Sequence, residues 1–91
     1  MLIVREERVV NLNNVTNFAM IVKNGFFSIE FYYNWYEEFK CCDSFTFESE
    51  EDMKMAFEMV LVFHASNDRI CHLDRSYIEQ RKEDIKRFKN E

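Results

Sequence analysis

The sequence predicts an α+β fold, in which an antiparallel sheet of about four to five strands is covered by one long helix and followed by a charged C-terminal helix. Three observations predict it. An Asn-Gly pair at residues 24–25 separates two alternating apolar segments, a helix-capping sequence begins at Ser49, and strand-like segments precede helix-like ones. We expect an α+β domain over residues 1–73 and a helix over residues 74–91 that docks on it or oligomerises.

Composition supports a folded chain with a protein partner. Of the 91 residues 47% are hydrophobic, including ten Phe, which is enough to build a core. The net charge of -5 disfavours nonspecific binding to nucleic-acid phosphates or anionic lipid. A protein complex with a basic surface is therefore the expected partner.

The first elements are two short strands at residues 2–4 and 9–12, joined around Glu6-Glu7, with a loop at residues 11–14. The next element is a hairpin about Asn24-Gly25, because a type I′ turn needs positive φ at both central residues and Gly25 is the only glycine. The turn fixes the expected register: Lys23 with Phe26, Val22 with Phe27, Met20 with Ile29, and Phe18 with Phe31. One face then collects Phe18, Met20, Val22, Phe27, Ile29 and Phe31.

Residues 37–47 read as one or two further strands, with a bend at Asp43-Ser44. A helix follows over residues 50–65, since Ser49 can cap it and Asp52 occupies the capping-box position. One stripe of this helix is expected to cover the hairpin, and it comprises Met53, Ala56, Phe57, Val60, Phe63 and His64.

A resemblance to known proteins is carried by residues 8–15 (RVVNLNNV), by the hairpin, and by residues 45–52 (FTFESEED), which lead into the helix. In these segments the sequence resembles small uncharacterised proteins of Gram-positive bacteria and their phages. Those are β-meander proteins closed by one helix, and the resemblance covers residues 1–65. It implies a phage or mobile-element setting and carries no site residue with it.

Apolar residues also lie outside the covering stripe of the long helix. Met55, Met59 and Val62 form a second arc, which either receives the last helix or binds another protein. The residues predicted to bind a partner are this arc, an acidic cluster and two aromatic side chains: Met55, Met59, Val62, Glu48, Glu50, Glu51, Tyr32 and Tyr36. Helix capping and solubility are the alternative role of the acidic cluster.

The titratable residues predict no catalytic or metal site. The candidates for zinc are Cys41, Cys42, Cys71, His64 and His72, and their spacing fits no standard structural site. A loop that binds phosphate needs several glycines, and the only glycine, Gly25, is used in the hairpin turn. Nucleophilic catalysis needs a Ser or Cys beside a base, and His64 or His72 could be that base only if the fold happened to place it there. We therefore expect a protein that is not an enzyme and needs no cofactor or metal.

The longest apolar run, residues 59–63, is far too short to cross a membrane. The first ten residues lack the features of a secretion signal, so we expect a cytoplasmic protein with reduced thiols.

These observations predict a non-enzymatic protein-binding module. The phage or mobile-element origin that the resemblance implies suggests an inhibitor of a host complex. The target would be a defence complex, as for an anti-CRISPR protein, or a nucleic-acid-processing complex. One alternative is a homo-oligomeric structural or regulatory protein whose C-terminal helices pair. The other is a nucleic-acid binder that uses residues 75–91, but six basic and four acidic side chains interleave there, which disfavours direct nucleic-acid binding.

Overall fold

A computed structural model describes residues 1–36, 39–66 and 68–89, with the side chains of residues 34–42 outside the description. Its elements confirm the α+β class. In chain order they are β1 (Leu2–Arg5), β2 (Arg8–Asn11), a 3-10 turn (Leu12–Asn14), β3 (Val15–Lys23), β4 (Phe26–Tyr36), β5 (Phe39–Phe47), α1 (Glu50–Ala65), β6 (Ile70–His72) and α2 (Arg75–Lys89).

The strands form two sheets, whereas one sheet of four to five strands was expected. Sheet A has the order β2-β1-β6 and sheet B the order β3-β4-β5 within the described residues. The difference arises because, within the described residues, β1 and β2 pair with each other but with no strand of sheet B. Sheet A is completed by β6, which was not among the predicted elements. This three-residue strand pairs in parallel with β1, placing Cys71 opposite Ile3.

The hairpin prediction is confirmed in register. Asn24 has φ 54 and Gly25 has φ 79, as a type I′ turn requires. Lys23 pairs with Phe26, and the pairing continues without a slip to Phe18 and Phe31. The turn chemistry and the alternation of side chains therefore specify the same arrangement.

The expected bend at Asp43-Ser44 is wrong, because β5 runs straight through both residues. Asp43 lies opposite Phe31 in the sheet. Its carboxylate accepts a hydrogen bond from the Tyr33 hydroxyl and lies 3.4 Å from the Arg8 guanidinium. These partners allow a polar residue to stay inside a strand.

Helix α1 has the predicted bounds. The Ser49 hydroxyl accepts the backbone N–H of Asp52 at 3.1 Å, so the predicted cap is confirmed. The buried stripe holds Met53, Ala56, Val60 and Phe63, with Phe57 packed at its edge. His64 was wrongly assigned to this stripe, since its side chain is exposed at the last turn.

One hydrophobic core joins both sheets and both helices. Ile3 and Val10 of sheet A share it with Phe31 and Phe45 of sheet B, and Ile78 brings in α2. The Phe18 ring stacks on Phe31 with centroids 5.8 Å apart and makes a tilted contact with Phe57 at 5.2 Å. A boundary near residue 73 stays a prediction.

A polar cluster fastens sheet A to its neighbours; we call Arg5, Glu6, Asp74 and Arg75 the latch. The Arg5 guanidinium donates to the carbonyls of Leu73 and Thr46. The Glu6 N–H donates to the Asp74 carboxylate, and the Arg75 N–H donates to the Glu6 carboxylate at 3.1 Å. These contacts join the β1–β2 turn to the start of α2.

Within the described residues, neither helix is long and apolar enough to span a membrane.

Candidate protein-binding groove

The residues predicted to bind a partner lie at three separate places. Met55, Met59 and Val62 lie together on the side of α1 that faces α2, whereas Glu48, Glu50 and Glu51 lie at the N-terminal end of α1. Tyr32 lies on β4 in sheet B. The structure thus brings the methionine arc into one site, and Glu48, Glu50, Glu51 and Tyr32 are not part of its lining.

The methionine arc forms one wall of a groove of about 370 Å³ between α1, β6 and α2. Met55 and Met59 are half-buried, and Val62 keeps 67% of its surface exposed. Helix α2 therefore faces the arc without covering it. We call this site the methionine groove.

The opposite wall contains residues that sequence reasoning did not select. They are Ile70 on β6 together with Tyr77, Arg81 and Ile85 on α2. The Tyr77 ring stacks on His72 with centroids 4.7 Å apart, which fixes the ring at the groove. The narrow apolar stripe of α2 could be detected in the sequence, whereas no sequence pattern predicted the short strand β6.

A buried ion pair sets the distance between the two helices beside the groove. Asp52 in the first turn of α1 pairs with Lys82 of α2, and both side chains are largely buried. The hydrogen bond to Asp52 raises the pKa of Lys82, so the Lys82 ammonium group stays charged at neutral pH. Ile78, one turn earlier, anchors the same part of α2 in the core.

Charges surround the groove unevenly. Glu58 and Asp68 supply two carboxylates to its lining, and Arg81 supplies one cation. The predicted acidic cluster already has partners within the chain: Glu50 lies 2.9 Å from Lys54, and Glu48 pairs with Arg75. All four of these charged side chains are exposed, so these pairs are weak and water competes for them. Glu51 is also exposed.

Of the two aromatic candidates, the structure describes the side chain of Tyr32, which lies outside the groove lining. Tyr32 is half-buried and its hydroxyl donates a hydrogen bond to Glu30 on the same strand. That contact gives Tyr32 a structural role on sheet B. The side chain of Tyr36 lies outside the described part of the chain, as do those of Cys41 and Cys42.

Cys71 is a buried residue in the lining of the groove. Burial, and to a lesser degree the charge of Asp68, raises the pKa of Cys71 to about 11. The thiol is therefore protonated and a weak nucleophile at neutral pH. Among the described residues, no three His, Cys, Asp or Glu side chains are grouped so as to hold a metal ion.

A larger cleft of about 860 Å³ lies beside the latch. Its charged groups satisfy one another, as the latch hydrogen bonds and the Glu48–Arg75 pair show. Arg5 also stacks over Phe47, 4.1 Å from the ring centroid, and burial lowers its pKa. Its polar groups are engaged in holding the fold together, so this cleft is the weaker candidate for binding.

Comparisons of the chain with protein-family models, with curated proteins and with solved structures found no match. The methionine groove is therefore the feature of this protein that indicates a function.

Proposed function

We propose that this protein is a non-enzymatic protein-binding module that uses the methionine groove to hold an apolar segment of a basic partner protein. The observation that carries the proposal is the apolar arc that faces α2: Val62 is 67% exposed, while Met55 and Met59 are half-buried against the core and line the same groove. Exposed apolar surface of this kind marks contact sites, and methionine side chains adapt to different partners.

Charge favours a basic partner. The chain carries -5 overall, and Glu58 and Asp68 outnumber Arg81 in the groove lining. The exposed carboxylates of Glu50 and Glu51 extend the negative field along the first turns of α1. Such a field speeds encounter with a cationic surface and weakens as salt is added.

A partner of this kind fits the setting that the resemblance of residues 1–65 implies. A phage or mobile-element inhibitor would occupy a basic surface on a host defence or nucleic-acid-processing complex. The nearby charges of α2 support this function better than direct nucleic-acid binding, because Lys82 is paired with Asp52 and Arg81 lies beside acidic groups in the groove.

The test compares three immobilised proteins for capture from a host lysate: wild type, Val62→Glu and Leu61→Glu. Leu61 is the matched control, since it is adjacent in sequence, 47% exposed and outside the groove lining. The captured protein is then purified and titrated by calorimetry. We expect Val62→Glu to weaken its binding about tenfold or more, whereas Leu61→Glu binds as wild type does.

Equal binding by all three proteins would exclude the methionine groove as the site.

Charge reversal at Glu50 and Glu51 tests separately whether the negative charge of α1 attracts the basic partner. We expect slower association at low salt and unchanged dissociation, and an association rate that does not depend on salt contradicts steering.

A further inference from the structure

We infer that strand β3 is a self-pairing edge, through which two copies of this chain join their B sheets into one antiparallel six-stranded sheet. This interface lies on a different element from the methionine groove. It also differs from the pairing of C-terminal helices that the sequence suggested.

Strand β3 presents unpaired backbone groups along its outer side. In a hairpin closed by a two-residue turn, Lys23 and Phe26 form the first hydrogen-bonded pair, and bonded pairs then recur at every second residue. The backbone groups of Phe18, Met20 and Val22 therefore point away from β4. Within the described residues no other strand pairs with this edge.

The opposite edge of sheet B shows how such groups can be blocked. The guanidinium of Arg8 donates to the Ser44 carbonyl at 2.6 Å, and Arg5 donates to the Thr46 carbonyl at 3.0 Å. These side chains occupy the outer carbonyls of β5. Along β3 the described residues supply no comparable cover, and this nine-residue strand has a single charge, Lys23, at its end.

Strand β3 carries apolar side chains on the face of sheet B that is turned toward the hydrophobic core. Met20 is 40% exposed and Val22 is 59% exposed, although both lie on the same face of the sheet as the buried residues Ile29 and Phe31. Helix α1 extends over Phe18, whose ring contacts Phe57, and leaves Met20 and Val22 uncovered. A second sheet edge placed beside them would bury both.

The partner that fits this edge is a second copy of this chain, because β3 is complementary to another β3 strand paired antiparallel to it. With a two-fold axis at Met20, Met20 lies opposite Met20 of the second copy and Phe18 lies opposite Val22 of the second copy. The outward N–H and C=O groups of these residues then meet in hydrogen-bonded pairs. Lys23 falls opposite Asn17 of the second copy, so no like charges are opposed. A shift by two residues in one direction would place Val22 against Thr16, and in the other direction it would place Phe18 against Asn24, so each shift replaces an apolar pair by a mixed one.

The test is sedimentation analysis of the full chain over a range of concentrations. We expect a species of twice the 11.2 kDa chain mass. Met20→Lys should raise the dissociation constant about tenfold or more, since two lysines would face each other across the axis. Leu61→Lys, at a similarly exposed position on α1, should leave it unchanged.

Amide hydrogen exchange supplies a second readout that does not depend on a variant folding. We expect the amides of Phe18, Met20 and Val22 to become protected as concentration rises, while those of Ala19 and Ile21 are protected throughout. A monomer at all concentrations, a dimer unaffected by Met20→Lys, or protection of β3 only by a foreign protein would each overturn the inference. Loss of groove binding with the dimer intact would affect the proposed function alone.

Discussion

The two sheets differ in the distance along the chain between the strands that pair. In sheet B, β3, β4 and β5 follow one another, and the Asn24-Gly25 turn fixes the register of the first pair. In sheet A, β1 must find β6 almost seventy residues later and in parallel, as the Leu2 and Ile70 pairing shows. The latch then fastens that contact. Local signals therefore specify sheet B and the β1–β2 pair of sheet A, whereas tertiary contacts specify the addition of β6 to sheet A.

The largest effects are expected from removing a core side chain on each sheet. Phe31→Ala in sheet B should lower the free energy of unfolding by about 4 kcal/mol, and Ile3→Ala in sheet A by about 3 kcal/mol, because both residues are fully buried. If sheet B forms first, Phe31→Ala mainly slows folding and Ile3→Ala mainly speeds unfolding. Folding and unfolding rates in urea measure both.

The reverse pattern, with Ile3→Ala slowing folding, would contradict the order in which the sheets form. Leu61→Ala serves as the control, since it removes an exposed aliphatic side chain. It should change the free energy of unfolding by less than about 0.5 kcal/mol.

The latch is tested by Arg5→Met, which removes the hydrogen bonds to Leu73 and Thr46 and the contact with Phe47. We expect a loss of about 2 to 3 kcal/mol, since the Leu73 carbonyl loses a charged donor. Arg5→Lys keeps the charge without the planar fork and should lose about half as much. Urea denaturation measures both, and equal stability of all three proteins would show that sheet A does not depend on the latch.

The Asp52–Lys82 pair joins the helix that covers sheet B to the helix that follows sheet A. Lys82→Met should cost about 2 kcal/mol, because it leaves the Asp52 carboxylate buried without its charged partner. Lys86→Met, one turn later at an exposed position, is the matched control and should be nearly neutral. If the two variants melt at the same temperature, the pair contributes nothing to joining the helices.

The smallest effect concerns Cys71 on β6. Its pKa is raised from 9.0 to about 11 in the folded chain, so the unfolded chain releases the thiol proton first as pH rises. The contribution of this thiol to stability is therefore complete below pH 9 and is lost as the pH rises from 9 to about 11, with a loss of about 1.4 kcal/mol at pH 10. Urea midpoints for wild type and Cys71→Ala at pH 8 and pH 10 isolate this loss. Identical pH dependence of the two proteins would contradict it.

Sheet B and both helices could be predicted because their signals are local. The Asn24-Gly25 turn gave the hairpin register, and the Ser49 cap gave the start of α1. Strand β6 was missed because three residues carry no periodicity, and its pairing with β1 depends on contacts across the whole chain. The bend at Asp43 was wrong because its partners, Tyr33 and Arg8, come from other strands.

The candidate site could be predicted only in part. The arc of Met55, Met59 and Val62 stood out because it lies outside the stripe that α1 needs for the core. The second wall did not, since Ile70 and Tyr77 become neighbours of the arc only when β6 enters sheet A. His64 was misassigned because helical spacing alone does not show where the sheet beneath a helix ends.

The Asn24-Gly25 turn at the tip of the hairpin is also a site of chemical degradation. An asparagine followed by glycine is the pair most open to deamidation, because no side chain hinders attack of the following nitrogen on the asparagine amide. Asn24 and Gly25 are both exposed. The isoaspartate product would insert an extra backbone carbon where two positive φ angles hold the strand register. Stored protein should therefore acquire an acidic form on isoelectric focusing, with its hairpin loosened from the tip inward.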